Sequence, residues 1–150
     1  MFIEAKLMDS IINCMPILCV DAVVLYQGKF LVMRRNFWPA KGSYWLPGGR
    51  MYKNETIIDA TIRKVKDETN LNASYRSFLT VEETVLEKEE GLTKHTVNIV
   101  SLFDVETVEY FSFDDQHNDY KWLQKNDPML NELSPAVYKP IDCAIGLIGD

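Results

Sequence analysis

The most continuous apolar stretch spans residues 17–27, rich in Val, Leu and Ile, and it closes at Gly28. Residues 29–35 then alternate apolar and polar positions. Two such runs around Gln27-Gly28 predict a β-hairpin. A Pro- and Gly-rich stretch, residues 39–49, reads as a loop holding a short strand at 44–46. The period then changes. Ile58, Thr61, Ile62, Val65 and Thr69 recur at three- and four-residue steps, which predicts a helix over 54–69 with one apolar stripe. Asn54 is the expected N-cap, with Glu55 near the positive helix end. Asn70 is the expected left-handed stop. Residues 75–86 and 95–105 read as strands joined by a charged turn, 87–94. A polar loop, 113–119, leads into a short strand at 120–123, and 131–138 reads as a C-terminal helix interrupted by Pro135. This order is no regular βαβα alternation. It predicts a mixed sheet flanked by helices, an α+β arrangement or an α/β/α sandwich.

Composition narrows the classes. A length of 150 residues suits a single domain, 1–150. With 47% hydrophobic and 25% charged residues the chain reads as globular, not disordered. Sixteen basic against 22 acidic residues, a net charge of −6, argue against nucleic acid as a partner. The longest candidate membrane run, residues 15–26, is interrupted by Asp21 and falls short of the ~20 residues a span needs. No basic leader precedes it, so a cytoplasmic protein is expected. Cys14, Cys19 and Cys143 form no CxxC and no zinc spacing, and read as small core residues.

The polar side of the predicted helix is where chemistry concentrates. Arg63, Asp67 and Glu68 fall near one side, because four- and five-residue steps do so on a helix. Asp59 and Lys64 flank them. The loop entering the helix is Pro47-Gly48-Gly49-Arg50. Two adjacent carboxylates beside a backbone carbonyl form a hard oxygen site, suited to Mg²⁺ or Mn²⁺. Composition alone favours a solvated face laced by ion pairs, Asp59 to Arg63 and Arg63 to Asp67.

The run of residues alters that balance. Gly49, Glu55, Arg63, Val65, Glu68 and Leu71 keep the spacing GX5EX7REUXEEXGU, with Asp67 in place of a Glu. The chain therefore resembles the Nudix family. The resemblance implies a Nudix-like α/β/α sandwich with a mixed β-sheet. Lys64 and Asn70 depart from the pattern, standing where it has Glu and Gly. The Glu after the box Arg ordinarily helps to bind metal, and a charged Lys cannot. One Mg²⁺, with Mn²⁺ as an alternative, is expected on Glu68 and the Gly48 carbonyl with help from Asp67.

Three further stretches, 35–50, 115–123 and the N-terminal region with Phe2 and Asp21, are similar to the GDP-mannose mannosyl hydrolase branch. That branch attacks the sugar anomeric carbon and releases GDP and sugar. Carried over by position, the resemblance implies His117 as general base, consistent with an imidazole that takes a proton near neutrality. It implies Arg35, Arg50 and Arg63 on the departing diphosphate, with Glu68 holding the metal. Asp21 would lie near the sugar, or else pair with an Arg in the core. Phe2 would stack on the base, across the interface of a homodimer, or simply pack. The implied substrate is a nucleoside-diphosphate sugar. Asp67 beside Glu68 keeps phosphoanhydride cleavage of another nucleotide open. Lys64 keeps open a nucleotide-binding domain without catalysis.

Overall fold

The computed structural model describes residues 2–87 and 91–149. Among these, seven strands and three α-helices run in the order α1 (Ala5–Cys14), β1 (Ile17–Tyr26), β2 (Lys29–Arg35), β3 (Tyr44–Trp45), β4 (Gly48–Arg50), α2 (Ile57–Thr69), β5 (Ala73–Glu87), β6 (Thr93–Val105), β7 (His117–Gln124) and α3 (Pro135–Ile148). A 3₁₀ turn, Pro128–Glu132, precedes α3.

The β1–β2 hairpin closes on Gln27 and Gly28, both at positive φ (48° and 75°). Such a two-residue turn matches the twist of the flanking strands. Leu25 pairs with Phe30 and Tyr26 with Lys29. Further back, Cys19, Val20 and Asp21 pair with Arg50, Gly49 and Gly48 of β4. The other edge of β1 runs parallel to β6 from Ile17 to Leu25. β5 continues the sheet antiparallel to β6, and β7 lies antiparallel to β2.

Alternate residues of β1 and β2 fill two cores. Val23, Leu25, Phe30 and Val32 pack with Val137, Ile141 and Ala144 of α3. Ala22, Val24, Leu31 and Met33 pack with Val65 of α2, Leu71 and Phe103. Helices α2 and α3 thus cover opposite faces of a mixed sheet, the expected α/β/α sandwich. Burial on both faces is why β1 reads as an unbroken apolar run.

Several boundaries move. α2 begins at Ile57, and its N-cap is Thr56, whose Oγ1 accepts a hydrogen bond from Asp59 N at 3.1 Å. Asn54 instead turns the chain at φ 70°. An N-cap needs extended backbone, which Thr56 has and Asn54 lacks. Asn70 ends the helix left-handed (φ 56°, ψ 13°), as expected. The inward face is Ala60, Thr61, Val65, Glu68 and Thr69, while Ile58 is exposed. Pro135 starts α3 rather than interrupting a helix, and α3 runs on to Ile148. A proline suits the first helical position, where its missing N–H would be unpaired anyway. The helix α1 was not foreseen. Cys19 is buried, but Cys14 and Cys143 are exposed, so the core reading holds for Cys19 alone. Of the turn expected over 87–94, residues 88–90 lie outside the described residues.

Candidate active site

The Pro-Gly-Gly turn brings β4 hard against both β1 and α2. Gly48 pairs with Asp21, and a Cβ on Gly48 would sit 1.9 Å from Asp21 Oδ1. Gly49 has φ 154°, and a Cβ there would come within 2.7 Å of Lys64 Cε. Both glycines therefore make room for functional side chains. Gly48 N donates to Glu68 Oε2 at 3.1 Å. Lys64, one turn earlier on α2, places Nζ 2.9 Å from Glu68 Oε1. Glu68 is buried at 5% exposure. Burial pushes its carboxyl up, and the Lys64 charge opposes that shift.

Asp21 forms the floor of the adjoining cleft with Cys19, Arg35, Lys94, Thr96 and Asn98. Asn98 Nδ2 donates to Asp21 Oδ2 at 2.7 Å, and Thr96 Oγ1 donates to Asn98 Oδ1 at 2.6 Å. Thr84 and Thr96 hydroxyls meet at 2.7 Å. Burial pushes the Asp21 carboxyl up to about 7, against the hydrogen bond from Asn98. Arg35 donates from Nε to the Pro39 carbonyl at 2.7 Å. Burial lowers its pKa, while the charges of Glu68, Asp21 and Asp114 hold it up. Burial also drives the Cys19 thiol up to about 11, so it stays protonated and unreactive.

His117 is the first residue of β7 and is buried at 5% exposure. Its Nδ1 lies 2.7 Å from Asp114 Oδ1. A carboxylate only accepts, so Nδ1 holds the proton and Nε2 is the basic nitrogen. The preceding loop is tied to the end of α2, through Ser112 N to Thr69 O at 3.1 Å and Asp114 N to Glu68 O at 3.3 Å. His117 is thus not on a loose loop. When the ring takes a second proton, its positive charge favours the ionised form of Glu68.

Arg63 and Asp67 stand apart from this cluster. Arg63 donates to both Glu55 oxygens, at 2.5 and 3.0 Å, and to the Arg50 carbonyl at 3.1 Å. Its guanidinium lies 3.8 Å from the Tyr52 ring centroid. Arg63 therefore braces the turn that carries Arg50. The Asp67 side chain is 58% exposed and approaches Arg63 at 3.6 Å. Asp59 bonds Thr56 rather than the expected Arg63. Phe2 is 92% exposed and is not among the residues lining the cleft. Among the described residues, no three His, Cys, Asp or Glu side chains converge as a metal cluster. Of the expected ligand set, Gly48 and Glu68 are in contact through Gly48 N and Glu68 Oε2, whereas Asp67 faces Arg63 and solvent. The residues the sequence reading missed are Asp114, Asn98, Thr96, Lys94 and the inward turn of Lys64. The four-residue step from Lys64 to Glu68 and the three-residue step from Asp114 to His117 were local signals. The Asn98–Asp21 contact was not, being set by the β1–β6 register.

A family model described as the NUDIX domain matches residues 15–142. The chain is 30% identical over 140 residues to the low-salt glycan biosynthesis protein Agl8 of Haloferax volcanii, covering 89% of this chain and 85% of that protein. It is 33% identical over 90 residues to an ADP-ribose pyrophosphatase of Methanocaldococcus jannaschii, covering 60% of this chain and 52% of that protein. A NUDIX hydrolase from Nitrosomonas europaea superposes with a TM-score of 0.72 at 17% identity, covering 90% and 74% of the two chains. A MutT protein from Methanosarcina mazei does so with a TM-score of 0.70 at 22% identity, covering 90% and 97%. A matched stretch of this extent, carrying the box on α2 and β4, shows that the chain belongs to the NUDIX domain family.

Proposed function

We propose that this protein hydrolyses a nucleoside-diphosphate sugar, GDP-mannose or a close relative, by attack of water on the sugar anomeric carbon. One observation carries the reading: an oriented His117–Asp114 pair lies beside two buried carboxylates, Glu68 and Asp21, and the cations Lys64 and Arg35. That is equipment for one general base and one anionic leaving group. It is poor equipment for a carboxylate-rich metal cluster.

The diphosphate binds along Arg35 and Lys94, which line the cleft, and the neighbouring Lys64, where fixed charges suit its phosphates. His117 Nε2 takes a proton from water as the water oxygen bonds to C1. The C1–oxygen bond to the diphosphate breaks, and the electron pair leaves with the nucleoside diphosphate. Negative charge grows on that oxygen, and cations already in place stabilise it without reorganising. Direct displacement inverts the anomeric configuration. Asp21 and Asn98 hydrogen-bond sugar hydroxyls. Arg63 holds Arg50 in place rather than touching the phosphates. Phe2 is exposed and lies outside the cleft lining, so a contact with the base would come from a second copy.

Enzymes of this family generally use divalent metal ions such as Mg²⁺ or Mn²⁺. The donors present here do not fit a protein-held ion of the expected kind, because Lys64 occupies one Glu68 oxygen and Asp67 faces Arg63. The names of two relatives support a sugar-bearing nucleotide: one is a glycan biosynthesis protein, the other an ADP-ribose pyrophosphatase. The second also favours the alternative, phosphoanhydride cleavage. A panel of nucleotide sugars followed by ³¹P NMR separates the two. Nucleoside diphosphate with free sugar is expected. Nucleoside monophosphate with sugar phosphate would establish the alternative, and no turnover across the panel would indicate a binding domain.

A further inference from the structure

Lys64 stands where the NUDIX box has a glutamate, and its side chain turns inward. Its ammonium lies 2.9 Å from Glu68 Oε1, and Gly49 offers no Cβ to press its stem. Gly48 N–H takes Glu68 Oε2. Both oxygens of a buried carboxylate are thus engaged, one of them by a cation the chain itself supplies. A divalent ion entering there would have to displace Lys64 and would then sit against its like charge in a water-poor site. The other candidate carboxylate, Asp67, faces Arg63 and solvent. An ammonium has three N–H donors, so the contact with Glu68 leaves two for phosphate oxygens. The Lys64 charge also bears on Asp21 and Cys19, on the floor of the cleft.

We propose that the Lys64 ammonium is the resident cation of this site: it neutralises Glu68 and binds the substrate diphosphate where a divalent ion would otherwise bridge. Diphosphate recognition then needs no protein-bound metal. The proposal rests on the diphosphate reading above, and two measurements keep their failures apart.

In the first, Mn²⁺ is titrated into EDTA-treated, desalted protein, with unbound Mn²⁺ read by electron paramagnetic resonance. Lys64→Glu, which restores the box, gains at least roughly tenfold in Mn²⁺ affinity over the native chain. Equal affinity for the two overturns the proposal. In the second, GDP and ADP are titrated calorimetrically in EDTA. The native chain binds, Lys64→Gln weakens binding by roughly 10- to 100-fold, and Lys64→Arg retains most of it. Unaltered binding by Lys64→Gln overturns the proposal, as does native binding that appears only when Mn²⁺ is added. Absence of binding with and without Mn²⁺ refutes the diphosphate reading itself, and this proposal with it. Far-UV circular dichroism confirms that each variant is folded, and Lys64→Arg tests the charge with least disturbance to packing.

Discussion

His117 and Asp21 are the residues whose protons decide most. Asp114 fixes the His117 ring, leaving Nε2 for water. His117→Gln should lower kcat by roughly 10²–10⁴-fold, with KM changed far less. Steady-state kinetics check this, and an unaltered kcat removes His117 from the reaction. Asp21 answers to pH. Its folded pKa, about 7, lies above the ordinary 3.8, so the folded chain holds that proton more tightly than the unfolded chain does. The stabilisation is complete below the ordinary value and is lost as pH rises through about 7. Denaturant midpoints should therefore fall between those limits, and Asp21→Asn should flatten the fall; an equal slope in the variant contradicts it. The two residues differed in legibility. His117 stood out by its place in a recognisable stretch, although its burial did not. The core alternative for Asp21 named an Arg partner, but the partner is Asn98, which lies in sequence far beyond the reach of any local pattern.

At the scale of elements, the helix α2 and the turn before it set the site. Two residues of N-capping type, Asn54 and Thr56, compete for the start of α2, and only the backbone decides between them. Thr56→Ala should cost about 1 kcal/mol in urea unfolding, and Thr56→Ser much less. An equal loss for both would mean that the hydroxyl is not the cap. Gly48→Ala should be worse placed, since its Cβ meets Asp21 Oδ1 and the Val20 carbonyl rather than a flexible chain end. Overpacking of that kind costs about 1–3 kcal/mol. It should also weaken nucleotide binding, because β4 must shift off β1 and so disturb the Gly48 N–H bond to Glu68. The period of α2 and most of its inward side, Thr61, Ile62, Val65 and Thr69, were readable, but not that Glu68 joins that side and Ile58 leaves it. Glu68 sits on the buried side because Gly48 N–H and Lys64 satisfy it there, and apolar periodicity holds no record of such partners.

The whole molecule was legible where local pattern and burial agree. The hairpin, the box helix and the long pair β5–β6 each carry their own signal, and two-sided burial of β1 and β2 makes the sandwich follow. The helix α1 escaped because it has no buried residue and no side-chain cap, so its apolar spacing had no core to point to. The site as a whole was half legible. The residues of the box were readable, but not their contacts: Arg63 bonds the Arg50 carbonyl, and Asp67 faces Arg63 and solvent. In the proposed reaction water bonds to carbon, not phosphorus. Turnover of a nucleoside-diphosphate sugar in ¹⁸O-water, with products resolved by mass spectrometry, tests it directly. The heavy oxygen should appear in the free sugar and not in the nucleotide; heavy oxygen in a phosphate group would mean attack at phosphorus.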